Sequence, residues 1–291
     1  MRLLVFGYGF AARALRRRLA PEGWSFAATY RSAEGAEALA RDGVQAVALD
    51  DRQDLARRLA EAQAVLVTAP PGGDGCPGLQ ALVPALAQGR AFPDWLGYLS
   101  TTGVYGDRRG GWVFEHSRLA AASLEGARRV GAERDWLEVG RGMGLTVAVF
   151  RLPGIYGPSR SAFDRLRDGR ARRVTAPGHV FSRIHVDDLA AGLAASLARP
   201  RAGGIYNLCD DEPAPNSEVV AHAAHLLGME PPPAAPLDLD ALAPAARRFY
   251  AESKRVRNDR IKEALGVRLR HPDYRTGLRA LLAAEGHRRD G

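Results

Sequence analysis

Apolar and polar positions alternate along this chain in two kinds of block. Short runs such as Leu3-Leu4-Val5-Phe6 and Ala64-Val65-Leu66-Val67 are apolar throughout, as strands buried on both faces of a parallel sheet are. Between them lie longer segments with apolar residues three or four apart, the first at Ala11, Ala14, Leu15 and Leu19. That spacing fits a helix with one face packed on a sheet. The pattern predicts strands at 2–6, 24–29, 44–49, 64–68, 96–100 and 146–151, and helices at 11–20, 33–41, 52–61 and 79–88. Pro21 and Gly23 stop the first helix. Continued alternation of strand and helix predicts an α/β fold, a doubly wound parallel sheet of Rossmann type.

The later chain changes character. Residues 158–178 are polar and carry Arg165, Arg167, Arg170, Arg172 and Arg173. Residues 184–197 return to strand and helix, and Gly204 to Leu208 reads as a further strand. Beyond Asp210 proline and acidic residues thicken, and Pro231-Pro232-Pro233 with Pro236 read as a stiff connector. Segments 253–265 and 275–284 read as helical. The expected organisation is therefore interleaved: a nucleotide-binding domain from 1–156 and 179–209, and a smaller substrate lobe from 157–178 and 210–291. Open α/β sheets bind ligands at the carboxyl ends of their strands. The segment 163–173 and the region after Asp210 are expected to cover that cleft.

Composition narrows the classes. With 291 residues and 46% apolar content, the chain can bury an ordinary globular core. No apolar run approaches the roughly 18 residues needed to span a bilayer, and the start of the chain lacks the pattern of a secretory signal. A cytoplasmic protein without membrane association is expected. Cys76 and Cys209 are far apart and outside any CxxC pair, which argues against zinc sites and disulfide frameworks. The net charge is +8, and of the 41 basic residues only Lys254 and Lys262 are lysine. Arginine is spread along the chain rather than gathered in a patch, so no nucleic-acid partner is expected.

The first strand runs into Gly7-x-Gly9-x-x-Ala12. The first glycine permits a tight turn, the second lets backbone approach a pyrophosphate, and Ala12 keeps helix and strand close. The N-terminus of the helix that follows offers free N–H groups to the phosphates. Gly7, Gly9, Phe10 and Ala12 are thus candidate cofactor contacts. Cofactor choice is read at the end of the second strand, where NAD sites place a carboxylate. Here stand Thr29-Tyr30-Arg31-Ser32. Arg31 can clamp a 2′-phosphate bidentately and Ser32 can add a hydroxyl, so NADP is expected and NAD is less favoured. Asp50 either meets the adenine amino group or caps the helix that begins near Arg52.

From the fifth strand onward a larger signature emerges. Leu99-Ser100-Thr101-Thr102-Gly103-Val104-Tyr105-Gly106 resembles the Ser-Ser-x-x-Val-Tyr-Gly element of the extended short-chain dehydrogenases, the NAD-dependent epimerase/dehydratase family. Glu115, Arg151-Leu152-Pro153-Gly154-Ile155-Tyr156-Gly157-Pro158, Arg183-Ile184-His185-Val186-Asp187-Asp188-Leu189 and Tyr206-Asn207-Leu208 resemble later elements of that family in the same order. The resemblance covers almost the whole chain. It implies a Rossmann domain with a substrate lobe, a nicotinamide cofactor flanked by Ala69 and Pro153, and a small polar substrate such as a nucleotide sugar. It leaves a monomer or a homodimer open.

Two features depart from the family. The N-terminal glycines have the classical spacing, whereas most extended members separate the first two by two residues. The family's Tyr-x-x-x-Lys pair falls, counting from Thr101 and Glu133, on Glu125 and Arg129. In the family the tyrosine exchanges a proton with the substrate while hydride moves, the lysine assists it, and a Ser/Thr hydroxyl matching Thr101 orients the reacting oxygen. Glu125 can act as a base if desolvated, or form an i,i+4 ion pair with Arg129. Tyr105 is a further acid/base candidate. His185 reads as structural, with no metal site expected. These residues leave two functions in view: an NAD(P)-dependent oxidoreductase or epimerase/dehydratase-like enzyme, and a catalytically silent NADP-binding regulatory or redox-sensing protein.

Overall fold

The computed structural model describes residues 1–89, 92–242, 247 and 249–286. The chain opens with β1 (Arg2–Phe6), α1 (Phe10–Leu19), β2 (Ser25–Tyr30), α2 (Ala33–Arg41), β3 (Gln45–Ala48), α3 (Arg52–Glu61) and β4 (Ala64–Val67). It continues with α4 (Pro77–Gln88), β5 (Trp95–Thr101), β6 (Trp112–Val113), α5 (Leu124–Met143), β7 (Val147–Leu152) and β8 (Gly154–Tyr156). Next come α6 (Ala162–Arg167), β9 (Arg173–Thr175), β10 (Arg183–His185), α7 (Val186–Ala198) and β11 (Gly204–Asn207). The last described elements are α8 (Asn216–Leu226), β12 (Ala234–Pro236), β13 (Arg255–Val256), α9 (Asp259–Leu265) and α10 (Tyr274–Gly286).

Seven strands form one parallel sheet in the order β11-β7-β5-β4-β1-β2-β3. The order reverses between β1, which leads outward to β2, and β4, which starts the other half. Phe6 pairs with Val67 at that seam, so the loops after β1 and β4 part there and leave the crevice in which such sheets hold ligands. The uninterrupted apolar runs of β1 and β4 arise because both faces of the sheet are covered. Leu15, Leu39, Leu189, Leu193 and Ile261 pack against one face. Leu55, Leu59, Leu82, Leu86 and Trp136 pack against the other. A separate cluster joins Phe163 and Leu166 of α6 to Val219 and Val220 of α8 and to Tyr274 and Leu278 of α10.

The helices at 33–41 and 52–61 stand as the periodicity predicts. The segment 253–265 does not form one helix. Arg255 and Val256 pair with Trp112 and Val113, and the helix starts at Asp259. The proline connector likewise ends in a strand, because Ala234–Pro236 pairs with Arg173–Thr175. Among the described residues no helix is long and apolar enough to cross a membrane.

Candidate active site

The loop after β1 is shaped by two glycines with different duties. Gly7 has φ +90°, and a Cβ there would stand 2.9 Å from Thr68 Oγ1. Its N–H donates to Thr29 Oγ1 at 3.0 Å, and its carbonyl accepts from Thr68 Oγ1 at 2.5 Å. The turn is thereby tied to β2 and β4. Gly9, the N-cap of α1, is open: a Cβ there would meet nothing within 4 Å. No side chain caps α1 and its first turn holds no acid, whereas Ser32, Asp51 and Ser123 cap α2, α3 and α5. Unclaimed first-turn N–H groups beside open space fit an anion such as a pyrophosphate. Ala12 is fully buried between helix and sheet, and Phe10 packs beside Gly157.

At the end of β2, Arg31 is exposed and has no ion pair or hydrogen-bonded partner among the described residues. Ser32 is already engaged, its hydroxyl accepting the Gly35 N–H at 3.3 Å. Asp50 is exposed and is not the cap of α3; Asp51 is, accepting the Asp54 N–H at 2.9 Å. Asp51 has the one-residue offset from Arg52 that an N-cap requires. Ala69 follows Thr68 in the loop after β4, where its N–H reaches the Phe6 carbonyl.

A cleft of about 410 Å³ lies at the carboxyl ends of β5 and β7. Thr101, Glu125, Pro153, Arg160, Glu252 and Lys254 are among its walls. Thr101 ends β5, and its Oγ1 accepts the Gly103 N–H at 3.1 Å, which leaves the hydroxyl proton to donate elsewhere. Glu125 is brought beside it because Gly126 lets the first turn of α5 approach the turn after β5: a Cβ there would stand 3.1 Å from the Gly103 carbonyl. Arg129 does not pair with Glu125. Its guanidinium bonds the Leu99 carbonyl and lies 5.9 Å from the centre of the Tyr98 ring. The i,i+4 ion pair fails because a buried strand-end carbonyl competes for the same donor.

Tyr105 is absent from the cleft, contrary to its expected role as acid or base. It is fully buried, donates to Asn207 Oδ1 at 2.7 Å and accepts from Arg151 at 3.0 Å. Burial pushes its phenol up to about 12, so it keeps its proton. Around it, Arg151 and Glu133 form an ion pair at 2.8 Å with both side chains 3% exposed. Ser100 donates to the same carboxylate, and Glu115 accepts the Asn207 N–H at 3.0 Å. This network is satisfied throughout; none of it lines the cleft, and it forms a floor behind the neighbouring lining residues Thr101 and Leu152.

The segment 163–173 contributes no wall to the cleft; α6 and β9 pack with α8 and β12 instead. The second wall comes from Val180–Ser182 and from 249–256. Lys254 was the residue that periodicity did not bring forward. Its signal was compositional, a lysine in a chain whose other bases are almost all arginine. His185, Asp187 and His271 place ligand-type atoms within 4.8 Å of one another. Nδ1 of His185 accepts the Asp187 N–H at 3.2 Å and so caps α7. That bond puts the proton of the neutral ring on Nε2.

The sheet order, the glycine turn and the cleft at the strand ends define a Rossmann-type fold. No family model matches the sequence. A UDP-glucose 4-epimerase from Thermus thermophilus, solved with NAD, is 23% identical with a TM-score of 0.78, covering 97% of this chain and 98% of that one. A functionally unknown conserved protein from Silicibacter pomeroyi DSS is 47% identical with a TM-score of 0.88, covering 97% and 98% of the two chains. The chain belongs to the same family as that protein. Protein YeeZ of Escherichia coli (strain K12) is 28% identical over 79% of this chain and 85% of its own. A 3-diazoavenalumate denitrifying reductase from Streptomyces sp is 35% identical over 46% of each chain.

Proposed function

We propose that the protein is an NAD(P)-dependent oxidoreductase acting on a hydroxyl or carbonyl group of a small polar substrate. The observation that carries this reading is an open, uncapped glycine turn at α1 together with a cleft bearing Thr101 at the ends of β5 and β7, linked by Arg160 of the cleft wall lying over Phe10. Gly7, Gly9, Phe10 and Ala12 would hold the pyrophosphate, with Ala69 and Pro153 flanking the nicotinamide half. Arg31 would meet the 2′-phosphate, which favours NADP over NAD. Ser32 supports α2 and contributes less, since its acceptor is already used. Asp50 remains available to the adenine. When bound, the dinucleotide supplies or accepts hydride. Thr101 orients the reacting oxygen, and Arg160, exposed with its guanidinium 5.5 Å from the Phe10 ring, offers a cation to an anionic substrate. Cytoplasmic residence fits this chemistry.

The structural neighbours solved with NAD are epimerases and dehydratases, and one relative is a reductase. The assignment of Glu125 and Arg129 to the family's tyrosine and lysine positions argues against turnover of standard nucleotide-sugar epimerase substrates. Fluorescence titration with NADPH and NADH, followed by a carbonyl-substrate screen at the NADPH absorbance band, tests the proposal. Micromolar NADPH binding with turnover supports it, and no dinucleotide binding refutes it. A second reading, a silent NADP-binding regulatory or redox-sensing protein, draws on the burial of Tyr105. Tight binding without turnover on any screened substrate would favour it.

A further inference from the structure

Among the described residues, the cleft carries a cation–carboxylate pair to which the preceding reading gives no task. Lys254 and Glu252 stand on its second wall, 11% and 12% exposed, with Nζ 2.5 Å from Oε2. The backbone on either side of Lys254 is fixed. The Ser253 N–H donates to Asp107 Oδ1 at 2.8 Å, and its carbonyl accepts from the N–H groups of Arg108 and Gly110 at 3.0 Å. Its Oγ accepts the Val180 N–H at 3.2 Å. Beyond Lys254, the Arg255 N–H reaches the Gly111 carbonyl at 2.9 Å, and the Val256 N–H reaches Ser182 Oγ at 3.1 Å. A side chain anchored in this way is held where a reacting atom can find it. The residue type carries information too. Two of 41 bases are lysine, and lysine can release a proton where arginine cannot.

We propose that Lys254 is the proton donor of this cleft, acting on the oxygen of a carbonyl substrate. The proposal rests on the dinucleotide-dependent reading above and adds a residue to it. Hydride from a reduced nicotinamide dinucleotide forms the new C–H bond, and the carbonyl π electrons move to oxygen. An Nζ–H bond of Lys254 breaks as the O–H bond forms. The products are an alcohol and the oxidised dinucleotide, and the neutral amine regains its proton from water. Glu252 positions the ammonium, and Thr101 on the opposite wall offers a second donor to the same oxygen. Tyr105 cannot take this part, since its hydroxyl lies in the floor.

The test uses the full-length protein with NADPH and two acceptors. Phenanthrenequinone needs a proton as it takes hydride, whereas N-methylacridinium, already cationic, needs none. Wild type should reduce both above the uncatalysed rates. Lys254→Met and Lys254→Arg should each lower quinone reduction by about 10²- to 10⁴-fold, the usual range for a general acid, and leave acridinium reduction nearly unchanged. NADPH affinity should stay at the wild-type value. Lys254→Arg, which keeps a cation beside Glu252, should also keep the thermal midpoint, whereas Lys254→Met, which leaves Glu252 without its partner, should lower it. Quinone should also protect Lys254 against acetic anhydride, read by peptide mass spectrometry with Lys262 as the reference in the same chain. Equal losses on both acceptors, quinone reduction retained by Lys254→Arg, or absence of protection overturns the proposal. So does a wild type that binds NADPH and leaves the quinone unreduced. A wild type that does not bind NADPH overturns the underlying reading instead.

Discussion

The floor and the second wall of the cleft handle charge in opposite ways. In the floor, Arg151 and Glu133 are 3% exposed, and their donors and acceptors are shared among Ser100, Tyr105 and the Glu115 carbonyl. Burial alone would loosen the Arg151 proton, and the Glu133 carboxylate beside it more than reverses this. On the wall, Lys254 and Glu252 pair with each other at the edge of the cleft, and Glu125 and Arg160 are exposed nearby. A closed network fixes the ends of β5, β7 and β11 and has nothing left to offer a ligand. A pair at a cleft edge keeps protons and charge that a ligand can reach. Tyr105 therefore belongs to the frame.

The largest effect should come from breaking the floor. Arg151→Met leaves Glu133 buried without a counter-charge, which should cost about 3–5 kcal/mol. Urea unfolding measures it, and a loss below about 1 kcal/mol would mean that the network is not the frame described.

The two glycines of the β1 loop should separate fold from binding. Gly7→Ala forces a Cβ into a left-handed turn and toward Thr68 Oγ1, which should destabilise the protein by about 1–3 kcal/mol. Gly9→Val should keep the thermal midpoint and lose dinucleotide binding, because its Cβ occupies open space that the pyrophosphate needs. Unchanged NADPH titration by a folded Gly9→Val protein would move the cofactor elsewhere.

Tyr105→Phe removes one hydroxyl from the floor and leaves Asn207 Oδ1 without its donor. A loss of about 1–2 kcal/mol is expected. NADPH-dependent turnover below the melting range should be retained. Loss of turnover with full stability would return Tyr105 to the chemistry.

The smallest effect at neutral pH concerns the clamp beside α7. Asp188 accepts the N–H groups of Arg270 and His271 at 2.7 and 2.8 Å, and His185 lies against His271 with ring centres 4.1 Å apart. Burial first, and the neighbouring His271 second, lower the His185 imidazole to about 4. A histidine held neutral in the fold binds its proton more readily when unfolded. Its contribution is therefore complete above pH 6.5 and is lost as pH falls toward 4. His185→Asn, which keeps a side-chain cap, should flatten that acid limb of thermal stability while leaving stability at mildly alkaline pH unchanged. An acid limb identical to wild type would exclude His185 as its source.

The sequence by itself determined the alternation of strand and helix, the parallel sheet and the glycine turn. Those features are local: continuous apolar runs, three-to-four spacing and a turn that only glycine fits. The spans of α2 and α3 were equally legible from periodicity, but their caps were not: Ser32, offered to the cofactor, caps α2, and Asp51 rather than Asp50 caps α3. Helix α5 shows little periodicity, since Gly126 meets the turn after β5 and Gly140 meets Val147 of β7 closely, and its role is visible only in the packed structure. Tertiary structure alone decided that Tyr105 turns down into a hydrogen-bonded floor, that Arg129 prefers the Leu99 carbonyl to Glu125, and that 249–256 rather than 163–173 walls the cleft. Each of these choices is a competition among partners far apart in the chain. The two-residue pairing of β13 with β6 gains its energy from Val113, Val256 and Cys209 meeting in one cluster, and no local pattern records such a meeting.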